Sequence, residues 1–238
     1  MLSVSGAIIM RKTFRALLFS VVIALAFGGF SAVQVQAQGQ LNTILNKMEE
    51  HKNWLQTLTG KIKEARVNSQ LNLKTTRAGE IFYANKGGRD IAVRINWDDS
   101  NEVLSVINGE YTLYTPGLKQ AIRGKTEGSK NPQASNALAF MSMSKKDLKA
   151  NYEVQYLGVV KLDGTGVWHL KMTPKKKQSY KFAEVWIDQE GMPLQAEITE
   201  TNGDLMTIRL SSLKKNEIRL HADRFKVDLP KGVKIIKG

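Results

Sequence analysis

The stretch Ile91-Ala92-Val93-Arg94-Ile95-Asn96-Trp97 decides the fold, because large apolar residues alternate along it with small or polar ones. Such alternation is typical of a β-strand with one buried face. Asp98-Asp99-Ser100-Asn101 then turns the chain into a second strand, Glu102–Ile107. Asn108-Gly109 predicts a two-residue hairpin, since both residues tolerate positive φ, and Glu110–Thr115 returns. The sequence therefore predicts an antiparallel meander.

Similar strands are predicted on both sides of this meander. Upstream, Ile81 and Tyr83 alternate in one predicted strand, which is bounded by Lys86-Gly87-Gly88. Turn signals such as Asp163-Gly164 and Asn202-Gly203 separate the downstream strands. These are Tyr152–Leu162, Gly166–Met172, Lys181–Ile187, Leu194–Thr201, Leu205–Leu210 and a last extended piece with Phe225, Val227 and Leu229.

One long amphipathic helix precedes the strands. Between Leu41 and Leu58, six apolar residues fall on one stripe at helical spacing, and Gly60 is positioned to end the helix. The predicted fold class is mainly β (α+β). About ten strands form a strongly curved antiparallel sheet, an incomplete barrel, whose concave apolar face is covered by the N-terminal helix and a short lid helix.

The first 37 residues have the pattern of a secretory signal. Basic residues Arg11, Lys12 and Arg15 precede an apolar run, and Val35-Gln36-Ala37 supplies a small-x-Ala cleavage site. The chain has no cysteine, so it can carry neither a disulfide nor a lipid on an N-terminal Cys. We expect a cleaved signal peptide over residues 1–37, a single domain over residues 38–238, and a soluble periplasmic product.

The charge balance bears on the class of partner. Without the three basic residues of the signal, 32 Lys and Arg stand against 22 Asp and Glu, a net charge of +10. An exported basic protein is more suited to anionic lipid headgroups or acidic glycans than to nucleic acid. The basic clusters Lys175-Lys176-Lys177 and Lys214-Lys215 also lack the interleaved aromatic residues of a nucleic-acid groove. We predict no nucleic-acid partner.

Catalytic and metal-binding patterns find no support in the sequence. His51, His169 and His221 are isolated, and no pair has metal-ligand spacing. There is no Gly-x-Ser-x-Gly motif, and Gly124-Lys125-Thr126 lacks the spacing of a phosphate loop. We therefore predict a non-enzymatic protein with no metal site and no cofactor.

A short apolar segment, Ala134–Met143, follows the polar stretch Gly124–Asn131. Methionine packs adaptably, so this segment suits a movable cover over an apolar cavity. The alternative interpretation is that these Met and Phe residues belong to the ordinary hydrophobic core.

Five stretches resemble the periplasmic outer-membrane lipoprotein carriers, the LolA-like family. The opening helix Leu41–Met48 and the strand Gly79–Tyr83 are similar to the first elements of that family. The hairpin Val106–Pro116 resembles it best, Phe140-Met141 stands at the place of its lid helix, and Phe225–Val233 is similar to its ending. Their order and spacing across about 190 residues carry the resemblance.

This resemblance implies an apolar cavity in a half-barrel, closed by a lid. Family members carry an Arg after the second strand that ties the lid shut. Here that stretch is Lys86-Gly87-Gly88-Arg89, without the Pro of the family, so Arg89, Lys86 or neither has this role. The candidate ligand-binding residues are Ile91, Val93, Ile95, Trp97, Leu113, Leu138, Phe140, Met141 and Met143.

The implied function is a monomeric carrier that shields acyl chains of lipoproteins between the inner and outer membranes. Its implied partners are acylated lipoproteins, an inner-membrane lipoprotein-release transporter and an outer-membrane acceptor. The alternative is a regulatory binding module of the same fold that senses a lipid or lipoprotein. A weaker alternative is a structural envelope protein without a ligand.

Overall fold

A computed structural model describes residues 29–85, 87, 91–126 and 144–238, with side chains from residue 38 onward. Two helices are described, α1 (Gly29–Trp54) and α2 (Lys145–Asn151), and single turns of 3-10 helix lie at Pro116–Leu118 and Ala222–Phe225. The strands are β1 (Thr57–Asn68), β2 (Leu73–Asn85), β3 (Ile91–Trp97), β4 (Val103–Ile107), β5 (Glu110–Thr115), β6 (Gln120–Lys125), β7 (Tyr152–Leu162), β8 (Thr165–Pro174), β9 (Tyr180–Ile187), β10 (Pro193–Glu200), β11 (Leu205–Lys215) and β12 (Lys234–Lys237).

The described strands form one curved, open 12-stranded sheet in the order β12-β6-β5-β4-β3-β2-β1-β11-β10-β9-β8-β7. Two meanders, β1–β6 and β7–β11, join where β1 pairs antiparallel with β11. The predicted mainly β fold with an N-terminal helix is confirmed.

Local turn chemistry places the hairpins where the sequence predicts them. Asn108 and Gly109 both have positive φ, at 51° and 82°, and Ile107 pairs with Glu110 across the turn. Asp163 and Gly164 repeat this geometry between β7 and β8. Each turn is short because its two central residues accept a left-handed backbone.

The predicted end of the first helix is wrong. Helix α1 ends at Trp54, and Leu58 and Gly60 belong to β1. The Asn216 side chain accepts hydrogen bonds from the backbone N–H groups of Gln56 and Thr57, at 2.8 and 2.9 Å, and so turns the chain into the strand. Gly60 allows close strand packing, because a Cβ there would lie 2.6 Å from Leu213 Cδ2.

One edge of the sheet also differs from prediction. Gln120–Lys125 is a strand, β6, although its last two residues belong to the predicted polar stretch Gly124–Asn131. Phe225 lies in a 3-10 turn, and the last strand is Lys234–Lys237, which pairs parallel with β6. The Ser105 hydroxyl donates to the Phe225 carbonyl at 2.5 Å, and the Arg94 guanidinium donates to the Lys226 carbonyl at 2.7 Å. These bonds hold the C-terminal segment across the outer face of β3 and β4.

The chain divides into two compact units, Met1–Thr43 and Ile44–Gly238. In the first, residues 29–43 are helical, and the Thr43 hydroxyl donates to the Gly39 carbonyl at 3.1 Å. In the second, the remainder of α1 lies against the β9–β10 turn. Gly191 there has φ +94°, and a Cβ would come within 2.2 Å of the Lys47 carbonyl oxygen, so only glycine fits this approach.

Candidate functional site

The inner face of the sheet is the candidate site, and strand pairing builds it. Val93 and Ile95 of β3 lie directly opposite Val106 and Leu104 of β4. Because side chains alternate between faces, these paired residues point to the same side. The pairing repeats on the other flank of β3, where Ile95 lies opposite Ile81 of β2.

This pattern continues into one contiguous apolar cluster, which we call the inner apolar face. Leu55 after α1 and Met192 after β9 join it. The strand residues of the inner apolar face are Leu58, Ile62, Ile81, Tyr83, Val93, Ile95, Trp97, Leu104, Val106, Tyr111, Leu113, Met206, Ile208 and Leu210. All are buried, so the surface extends across six adjacent strands, from β5 through β1 to β11.

Part of the candidate ligand-binding set converges on this face. Val93, Ile95, Trp97 and Leu113 are buried in the cluster, and Ile91 is partly buried against it. Their role in binding stays a prediction. The other members of the set, Leu138, Phe140, Met141 and Met143, and the candidate latch residues Lys86 and Arg89, lie outside the described residues.

A buried charge network, missed by the sequence analysis, lies at one end of this face. Glu64 of β1 stands opposite Arg77 of β2 and is 5% exposed. The Arg77 guanidinium donates to both Glu64 carboxylate oxygens at 3.1 Å. It also donates to a Glu102 carboxylate oxygen at 3.2 Å and stacks 3.8 Å from the centroid of the Trp97 ring. Arg66 Nε adds a 2.8 Å hydrogen bond to Glu64.

The network is balanced, with two guanidinium groups against two carboxylates, so its main effect is structural. It ends the apolar surface with a polar boundary in which each charge has an opposite partner. The Trp97 indole Nε1 beside it is buried and has no hydrogen-bond partner among the described residues. The sequence does indicate that Glu64 is buried, because it follows Leu58 and Ile62 at even spacing on the buried side of β1.

Two clefts open on the surface near the end of α1. The first, about 440 Å³, is lined by Asn53, Leu55, Gln56, Thr57, Ala84, Asn85, Gly87, Arg219 and Leu220. The second, about 390 Å³, is lined by Lys47, Glu50, His51, Trp54, Gln189, Glu190 and Lys215. Both have mixed polar and apolar walls, unlike the inner apolar face.

His51 is the buried titratable group of the second cleft. Burial, and then the Lys215 ammonium, lower the pKa of its imidazole below 6.5, the ordinary value. Its Nε2 has no hydrogen-bond partner among the described residues. Lys215 is itself held by Asp188 at 3.1 Å and Glu190 at 3.3 Å. The neutral imidazole therefore packs as part of the joint between α1 and the β9–β10 turn.

Within the described ranges, no group of three or more His, Asp or Glu residues is placed to hold a metal ion. In the same part of the chain, no helix combines the length and apolar character needed to cross a membrane.

The comparison with protein families assigns the chain to a family. A family model described as "-like: Uncharacterized protein" matches residues 98–228, more than half of the chain. The chain belongs to this family of uncharacterized proteins. No curated protein matches the sequence.

Solved structures extend the comparison to the fold. An uncharacterized conserved protein from Thermus thermophilus aligns with TM-score 0.54 and 13% identity, over 84% of this chain and 99% of that one. MucB aligns with TM-score 0.55 and 15% identity, over 80% of this chain and 63% of its own. In the Pseudomonas aeruginosa MucA/MucB complex the TM-score is 0.50 at 14% identity, over 78% of this chain and 60% of that one. Identities this low establish shared fold alone.

A LolA superfamily protein from Nitrosomonas europaea also aligns, at 14% identity over 78% of this chain and 97% of that one. Its TM-score of 0.39 is too low to support a conclusion. The expected LolA-like fold is nevertheless confirmed by the architecture, a curved open sheet with an N-terminal helix and a short second helix.

Proposed function

We propose that this protein is an exported carrier that binds acyl chains of lipoproteins on its inner apolar face and moves them from the inner to the outer membrane. The observation that supports this proposal is one continuous apolar surface across six adjacent strands, from β5 through β1 to β11. Burial of an acyl chain contributes about 0.8 kcal/mol per methylene, so even part of one chain supplies useful affinity.

The proposal includes export and partners. Residues 1–37 direct the chain to the periplasm and are removed, so that the mature protein begins at Gln38. An inner-membrane lipoprotein-release transporter supplies the cargo and an outer-membrane acceptor receives it, with the carrier acting as a monomer without cofactor or catalysis. N-terminal sequencing of protein from the periplasmic fraction tests the first step, and retention of residues 1–37 would contradict it.

The proposed lid is Ala134–Met143, with Phe140, Met141 and Met143 filling the cavity when it is empty. Ligand must then supply at least the free energy lost when the lid is displaced. We expect Phe140→Glu to weaken binding of a fluorescent fatty-acid probe strongly, because desolvating a charge at the cavity mouth costs several kcal/mol.

The matched control is Phe182→Glu, the same change on a partly exposed strand residue that stacks with Lys171, 4.0 Å from the ring centroid. This control should bind the probe as the unaltered protein does. Circular dichroism checks that both variants fold. Equal affinity in a folded Phe140→Glu protein would refute the lid, whereas loss of the fold would assign Phe140 to the core.

The second candidate is a regulatory module that senses a lipid or lipoprotein and signals to a protein partner. The alignment with MucB supports this second candidate, because MucB has been solved in complex with a protein, MucA. Native mass spectrometry of envelope-purified protein separates the two functions. Co-purified acylated lipoprotein that passes to outer-membrane vesicles supports the carrier, and retained lipid with a stable protein partner supports the sensor.

A further inference from the structure

A group of lysines lies together at the junction of α2 and the β8–β9 turn. The backbone N–H of Lys175 donates to the Asn151 carbonyl at 2.8 Å, and its ammonium donates to the Lys149 carbonyl at 2.6 Å. These two bonds join the turn to the end of the helix. The resulting lysine surface consists of Lys146, Lys149, Lys175, Lys176 and Lys177, all exposed.

The lysine surface carries excess positive charge. Lys146, Lys176 and Lys177 have no carboxylate within 4.0 Å among the described residues, as is also the case for more scattered lysines such as Lys63 and Lys74. The lysine surface differs from these in that several lysines lie together. Asp147 accepts a 2.5 Å hydrogen bond from the Ser144 hydroxyl and interacts electrostatically with Lys146, so its single negative charge offsets part of the positive charge without cancelling it. Several ammonium groups on one surface, in excess of the carboxylates near them, create a positive potential that attracts anions.

The chemistry of the surface points to a particular anion. Its cations are lysines alone, which act as hydrated point charges on flexible stems, and no large exposed apolar side chain lies among them. Specific protein interfaces are instead enriched in Arg and aromatic anchors and depleted of Lys.

We propose that the lysine surface docks the protein on an anionic phospholipid membrane through contacts with headgroup phosphates. This docking is independent of the ligand carried on the inner apolar face. It would bring the protein to the membrane with the α2 end of the sheet toward the lipid. Each lysine near an anionic membrane surface contributes a few-fold in affinity, and the attraction is screened beyond about 8 Å at physiological salt.

The test is vesicle co-sedimentation of the protein purified after expression of the full-length chain. Two kinds of vesicle are compared, phosphatidylcholine alone and phosphatidylcholine with about one third phosphatidylglycerol, a fraction that gives a negative surface potential. The readout is the difference between the two, which subtracts any charge-independent binding by an apolar N-terminal segment. We expect binding to the anionic vesicles that weakens as salt rises.

The informative variant is the triple change Lys146→Glu, Lys176→Glu and Lys177→Glu. We expect it to raise the lipid concentration for half-maximal binding at least roughly tenfold. Its matched control is Lys63→Glu, Lys74→Glu and Lys214→Glu, three exposed lysines on β1, β2 and β11. The control has the same net charge, so it should bind almost as the unaltered protein does.

Each outcome decides the proposal. Loss of anionic binding in the first variant alone supports it, with circular dichroism showing that both variants are folded. Equal loss in both variants would assign the binding to net charge and overturn it. Absence of anionic binding in the unaltered protein would also overturn it, as would selective binding of the lysine surface to an acidic protein in place of vesicles.

Discussion

Removal of the buried charge of Glu64 is the sharpest test of how the inner face is held together. The change Glu64→Gln keeps the shape of the side chain and removes its negative charge. Arg77 and Arg66 then lose the carboxylate that binds them at 3.1 and 2.8 Å, on a residue that is 5% exposed. Arg77 keeps Glu102 at 3.2 Å, so one ion pair of the network survives.

The expected magnitude follows from the burial of the partners. Removal of one member of a buried ion pair typically costs about 3–5 kcal/mol, because the remaining charge is left uncompensated. The Arg77 side chain is 15% exposed and that of Arg66 is 35% exposed, so water partly compensates both. We therefore expect the lower end of this range, about 3 kcal/mol. For a domain of this size that lowers the Tm by roughly 6–12 °C.

Thermal unfolding followed by circular dichroism measures this effect. The matched control is Glu80→Gln, the same change at the exposed pair with Lys61, in which the Lys61 and Glu80 side chains are 56% and 46% exposed. We expect the control to lower the Tm far less than Glu64→Gln does, because water screens an exposed pair, and high salt to abolish even this small effect. If both variants lost the same stability, the buried network would not stabilise the inner face, and the reasoning would be refuted.

Two further predictions concern the joint between α1 and the β9–β10 turn. We expect Gly191→Ala to lower the Tm more than Gly164→Ala does. Both glycines have positive φ, but of the two only Gly191 stands where a Cβ would collide with a carbonyl oxygen, that of Lys47 at 2.2 Å. Equal Tm shifts in the two variants would contradict this prediction. Burial and the Lys215 ammonium lower the pKa of His51, so the unfolded chain binds its proton first and the free energy of unfolding falls as the pH drops below 6.5. In thermal scans between about pH 7 and pH 5, we expect the Tm of His51→Gln to fall less than that of the unaltered protein. If the Tm of both proteins fell equally with pH, His51 would not be the cause of the loss of stability.

The sequence by itself determined the strands of the central meander and their hairpins. Side chains alternate with period two along a strand, so the pattern from Ile91 to Trp97 fixed which residues face inward. Positive φ is a local property, so Asn108-Gly109 fixed its turn without help from distant residues. The candidate residues on these strands therefore lie in one buried cluster, and their role in binding stays a prediction.

The tertiary structure decided what depends on distant partners. The exit from α1 is set by Asn216, 160 residues away from Gln56, and the last strand forms only because β6 offers it an edge. The sequence does not identify the partner of Glu64, because Arg77 comes opposite it only when β1 pairs with β2. Local periodicity records how a residue is oriented on its own strand, but not which strand lies beside it. Strand partners, and the charges they bring together, are therefore fixed only when the chain is folded.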